Sequence, residues 1–409
     1  MSSSSLPETS SPPRRRTARR VWFALALLVA GGAGIAAWSL LREPALPVGV
    51  SLQEYEQAAR QFHEVYRREP NRIEALSLLA ELSVAEDRLE TAAACFGAIP
   101  TADDQYGLSA RLQESQVLIR LDRARDAERS LREFLSHAKT DATVPRSHLV
   151  TARTWLAYLL SVELRVEERR RVLAELHASG HADVYDSKQY HFPTLLIWHS
   201  STGRHRLVQF LEQDSDDLML QTAYGRYLTT DGMLDESRTL LETLHREHPS
   251  DLAVTAALLE CLYEQADLDS FAQVAKTLPK HRDDEPWLLT RMRGEFALEE
   301  QRWDDAVSHF QNVLTKDPAD PACHMGLARA YAGLKNNAAR DEVLQRSSVL
   351  ADIRVRLVGL TEEDADASRK LAETCENMGL TAAAKTFRRH SERIAQPDRR
   401  PGRTTAVPL

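Results

Sequence analysis

Apolar positions along this chain recur at helical spacing, in short blocks that repeat. In SLQEYEQAARQFHEVYRREP, Ala58, Phe62, Val65 and Pro70 stand at offsets 0, 4, 7 and 12. The same offsets return as Ala306, Phe310, Val313 and Pro318, as Ser237, Leu241, Leu244 and Pro249, and, without the proline, as Ala92, Phe96 and Ile99. Offsets 0, 4 and 7 share one face of a helix, and the proline stops it. Ala80, Gly225 and Gly294 each precede such a block by twelve residues, which predicts two helices per unit. The small residue of the first helix meets the small residue of the second, the backbones approach, and the larger residue four positions on fills the adjacent groove. Counting from the prolines gives 34-residue units at 73–106, 218–251, 287–320 and 321–354. Weaker units fall at 108–141, 150–183, 252–286 and 361–395, and 184–217 fits worst because Pro193 and Gly203 interrupt its helices.

This pattern resembles the tetratricopeptide repeat, with its W-x2-L-G-x2-Y, A-x3-F and P signature. Unit 287–320 carries Gly294, Ala306, Phe310 and Pro318, and the next carries Leu327, Ala328 and Tyr331. Leu156, Ala157 and Leu173 mark a weaker copy, and Leu371, Ala372 and Ala384 the last. The resemblance implies an all-α fold, a right-handed α-solenoid of helix-turn-helix repeats over residues 51–395, irregular at 184–217.

Composition adds a different element at the front. Residues 1–20 hold five arginines and one glutamate among serines and prolines, and are expected to form a disordered basic tail. Val21–Leu41 has no charge and a tryptophan near each end, and at 1.5 Å per residue it would span roughly 32 Å, so the expectation is one transmembrane helix. A cleaved secretory leader is the rival. Arginines before the segment place the N-terminus in the cytoplasm and the repeats outside it, on a bacterial inner membrane. Ala26, Ala30 and Gly34, four residues apart, offer a weak self-association face. Residues 42–50 read as a linker and 396–409 as a disordered C-terminal tail.

The formal charge is −8, and the chain without its basic tail is more acidic still, which argues against nucleic acid as partner. Cys95, Cys261, Cys323 and Cys375 are scattered and read as buried free thiols. Cys323 and His324 point about 100° apart on one helix, so packing is the reading there, with His309 on the previous helix facing outward. His177 and His181, and His245 and His248, stand near helix ends. There is no G-x-S-x-G, Walker loop, H-E-x-x-H, C-x-x-C or dinucleotide glycine pattern, so no enzyme activity and no cofactor is expected. The alternative is an enzyme or metal-binding site in the irregular, histidine-rich 177–217 region.

The resemblance implies that a peptide or partner protein binds the concave groove lined by the first helix of each unit. By position those residues are Met219, Thr222 and Arg226, then Arg291 and Glu295, then Met325 and Arg329. The family's chaperone-tail clamp uses asparagines and lysines that these positions lack. The expected function is therefore a membrane-anchored scaffold, its arginines taking acidic groups of a partner by bidentate contact.

Overall fold

The structure, a computed structural model, describes residues 46–139, 143–195 and 201–395. Among these residues the chain is all-helical, without strands. After α1 (Leu52–Tyr66) come three helical pairs: α2 (Arg72–Ala85) with α3 (Leu89–Gly97), α4 (Gly107–Arg120) with α5 (Ala124–Ala138), and α6 (Arg146–Val162) with α7 (Val166–Ser179). An irregular pair follows, α8 (Val184–His191) and α9 (Ser201–Gln213). The chain then returns to α10 (Leu218–Thr230) with α11 (Leu234–Glu247), α12 (Leu252–Glu264) with α13 (Leu268–Ala275), and α14 (Trp287–Glu299) with α15 (Trp303–Lys316). The last pairs are α16 (Pro321–Gly333) with α17 (Asn337–Gly359), and α18 (Ala365–Asn377) with α19 (Thr381–Ala395).

One turn recurs inside every regular pair. Asp87, Asp122, Leu164, Gly232, Ala266, Gln301, Lys335 and Gly379 all have left-handed backbones, with φ between 55 and 77°. The N–H of the following residue reaches back to the carbonyl five positions earlier, as Arg88 does to Ser83, Met233 to Leu228 and Leu380 to Cys375. This satisfies two of the carbonyls that a helix end orphans and sets the angle at which the second helix leaves. The left-handed residue is the fifteenth of the units beginning at 73, 108, 150, 218, 252, 287 and 321. The last unit is shifted four residues, to 365, because α17 runs 23 residues where α11 and α15 run 14. Leu164 and Gly232 lie 68 positions apart, two periods of 34, so 184–217 occupies the length of one repeat. Aspartates cap the first helices at their starts: Asp217, Asp251, Asp320 and Asp364 each accept from a backbone N–H of the first turn.

The repeated apolar face is the core. Ala92, Phe96, Ile99, Leu241, Leu244, Ala306, Phe310 and Val313 are all buried. The Phe310 ring fills the space over Gly294, where a Cβ would come within 2.7 Å of Cε1, and Leu241 lies as close to Gly225. Val65 breaks the pattern at 70% exposed: α1 has a second-helix motif, and among the described residues no first helix packs against it from the N-terminal side.

The irregular segment turns the stack back on itself. Val184, Phe192 and Leu195 share a core with Leu350, Ile353, Leu357, Leu371 and Phe387. Thr194 donates to Asp317 through both its N–H and its hydroxyl, Lys188 donates to the Leu360 carbonyl, and Arg169 Nη2 donates to the Pro193 carbonyl at 2.9 Å. Arg170 lies over both Tyr190 and Trp287 and donates to the Lys316 carbonyl. The Trp287 N–H donates to Glu167 Oε1 at 2.7 Å. Repeats near 165–195 and repeats beyond 285 are therefore neighbours, where a simple linear stack would keep them apart.

The expected membrane placement needs correction. Among the described residues no helix is long and apolar enough to cross a membrane. The single-pass inner-membrane location, with its periplasmic repeat domain, is accordingly withdrawn. Val21–Leu41 and the Ala26, Ala30 and Gly34 face lie outside the described residues, as do the tails 1–20 and 396–409.

Candidate interaction groove

The first helices α10, α12, α14 and α16 are each 13 residues long, so equal positions in them fall on equal faces. Arg226, Glu260, Glu295 and Arg329 are the ninth residues of the units beginning at 218, 252, 287 and 321. They are linked along the stack. Arg226 Nε lies 3.1 Å from Glu260 Oε2, and Arg291 Nη2 lies 2.6 Å from Glu260 Oε1. Arg226 also donates to the Leu164 carbonyl at 3.3 Å. One repeat further, Arg329 Nη1 meets Glu295 Oε2 at 2.7 Å and the Tyr263 hydroxyl at 2.6 Å, while Nη2 meets Glu299 Oε1 at 3.0 Å.

Burial would push the Glu260 carboxyl up, but the guanidiniums of Arg226 and Arg291 on either side hold it below the usual carboxylate range. At Glu295 burial wins and the carboxyl sits above that range. Burial likewise pushes the Tyr263 phenol up to about 12. Glu260 was not singled out from sequence, though its signal is there: it continues the ninth-position series between Arg226 and Glu295.

The seven groove candidates thus divide by accessibility. Met219 and Met325 are about half exposed, at 51% and 48%. The Arg329 side chain is 45% exposed. Arg226 and Arg291 keep only 17% and 12% of theirs and already hold an internal carboxylate. Glu295 and Thr222 are buried, and the Thr222 hydroxyl donates to the Leu218 carbonyl. A small cleft lined in part by Leu164, Thr194, Arg226, Trp287, Arg291 and Pro321 joins this row to the irregular segment.

The Cys and His residues weighed from sequence sit in packing roles. Cys95, Cys261, Cys323 and Cys375 are buried free thiols, and burial pushes the Cys95 and Cys375 thiols up to about 12. His324 is buried, with Nε2 3.0 Å from the Pro318 carbonyl. His309 does not face outward: its ring packs edge-on against His281 at 5.4 Å and burial lowers its pKa. His245 pairs with the Thr255 hydroxyl at 3.1 Å. Among the described residues no group of three or more His, Cys, Asp or Glu side chains is arranged to hold a metal ion.

A family model described as tetratricopeptide repeat matches residues 297–346, from the end of α14 into α17. No curated protein matches. Among solved structures the chain is similar to a tetratricopeptide repeat protein from Parabacteroides merdae, at 12% identity and TM-score 0.31, covering 68% of this chain and 99% of that one. It is also similar to yeast Tom70, at 12% identity and TM-score 0.30, covering 83% and 92%. A third is the APC/C hetero-tetramer Cut9–Hcn1, at 14% identity and TM-score 0.30, covering 85% and 79%. Residues 297–346 thus carry the tetratricopeptide repeat, and the turn inside that segment recurs in all eight regular helical pairs of the described residues.

Proposed function

We propose that this chain is a non-enzymatic interaction scaffold that holds a peptide or partner protein along the inner face of its first helices. The observation that carries this reading is the pair Met219 and Met325, apolar and half exposed on first helices of the same repeat series. Methionine is flexible and polarizable, and adapts to apolar side chains of varied shape. Between them runs the row of Arg226, Glu260, Arg291, Glu295 and Arg329, whose alternating charges are already balanced internally. The row therefore sets the groove's shape and polarity, and Arg329, the most exposed of its arginines, is the one that offers a charge to a partner. This narrows the expectation that the arginine row takes acidic groups of a partner to Arg329.

The test is site-specific photo-cross-linking from positions 219 and 325, with position 243, half-buried on the second helix α11, as the control. Cross-links from 219 and 325 to the same partner segment, and none from 243, are expected. Equal labelling from all three positions would refute the groove.

A further inference from the structure

The seam where α8 meets the last repeat gathers buried groups that the groove does not use. His191 on α8 places Nε2 2.9 Å from the Thr386 hydroxyl on α19 and its ring 6.3 Å from Phe387. His177, at the end of α7, lies 5.3 Å from the His191 ring and 4.5 Å from Tyr190. On α19 the buried His390 places Nδ1 2.8 Å from Arg393 Nη2. A guanidinium only donates, so this Nδ1 accepts and the ring is neutral. Buried polar atoms without a hydrogen-bond partner occur on and beside α8 too: His177 Nε2, His181 Nδ1 and Gln189 Oε1. Such atoms make a seam costly to keep closed.

We propose that this seam is an acid-released latch: protonation of His191 and His390 parts α18 and α19 from α8 while the other repeats stay folded. A proton on His390 Nδ1 would break the Arg393 bond and set two cations side by side. Burial lowers the His390 pKa to about 4, with Arg393 and Lys188 acting in the same direction and Asp183 and the Thr361 backbone against it. Burial lowers that of His191 to about 3, and the groups facing it, His177 and Arg170, add to the shift. His177 is lowered by burial, against Asp183. All three folded values lie below the ordinary 6.5, so protons favour the parted state. The latch is at full strength above about pH 6.5 and weakens as the pH falls toward the folded values, by about 30-fold per group for His191 and His390 at pH 5. Asp317 titrates the other way: burial, with Asp320 beside it, pushes its carboxyl up to about 6. It holds Thr194, behind α8, so acid leaves α8 attached to α15 and releases the α19 side.

The experiment is amide hydrogen exchange on the full chain at about pH 7.5 and about pH 5, corrected for intrinsic exchange rates. Protection across 365–395 is expected to fall by about 900-fold, about 30-fold for each of the two groups, while 218–333 changes by less than about threefold. In His191→Phe with His390→Leu the fall should shrink to about threefold or less, and His390→Gln alone should remove about half of it on a logarithmic scale. The latch is overturned if 365–395 keeps its protection at the lower pH, if 218–333 loses protection in parallel, or if the substitutions leave the fall unchanged. None of these readouts involves a partner, so the latch stands or falls separately from the proposed function.

Discussion

At the scale of single residues, the strongest constraints are charges that have been taken out of water. Arg125 bridges Glu128 at 2.7 Å, Glu163 at 3.0 Å and Asp217 at 2.6 Å, tying α5 to the α6–α7 turn and to the cap of α10. Arg125→Ala leaves the fully buried Glu163 with one guanidinium fewer, and a loss of about 3 kcal/mol in chemical denaturation is expected. In the same network burial opposes ionisation of Glu128, but Arg165 and Arg132 hold its pKa down to about 2. Its folded value lies below its ordinary one, so its contribution is present above about pH 4.5 and is lost as the pH falls toward 2. A pH titration of stability should therefore be flatter in that range for Glu128→Gln. Gly294 was readable from sequence as a close-approach position, and the structure supplies the cause, the Phe310 ring. Gly294→Ala should cost about 1–3 kcal/mol by overpacking, although alanine is the better helix former. The ion pairs were not readable, because Arg125 and Asp217 are 92 positions apart and no local spacing joins them.

At the scale of elements, periodicity carried nearly everything in the regular repeats. The 0, 4, 7 offsets marked the second helices, and the small residues twelve positions earlier marked the first. What sequence concealed was the turn between them, because six of its eight left-handed residues are not glycine. A left-handed backbone costs a side-chain-bearing residue about 1–2 kcal/mol, partly offset by the extra chain entropy of glycine. Ala266→Gly, at an exposed position of such a turn, should thus raise stability by about 0.5 kcal/mol, while Ala266→Val should lower it. Thermal melting of both variants distinguishes this from an indifferent loop. The end of α17 was equally hidden: nothing in a 34-residue register announces a second helix that continues to Gly359, and the final unit was consequently placed four residues early.

At the scale of the molecule, a one-dimensional repeat model leaves out the contact of 165–195 with the repeats beyond 285. Stacking rules describe neighbours, whereas Phe192 against Phe387 and Thr194 against Asp317 are contacts between distant repeats. The poor fit of 184–217 was the visible sign, since its Pro193 and Phe192 serve this crossing and not a regular helix pair. The positions proposed for the groove share a register that the sequence shows, but their availability was not legible, because Glu260 and Glu295 neutralise arginines that looked open. The binding face is tested most directly by hydrogen exchange of the full chain with and without the partner segment recovered by cross-linking. Added protection in α10, α12, α14 and α16, strongest around Met219 and Met325, is expected. Protection confined to the second helices, or to α17 alone, would contradict the assignment of the first-helix face as the surface that binds.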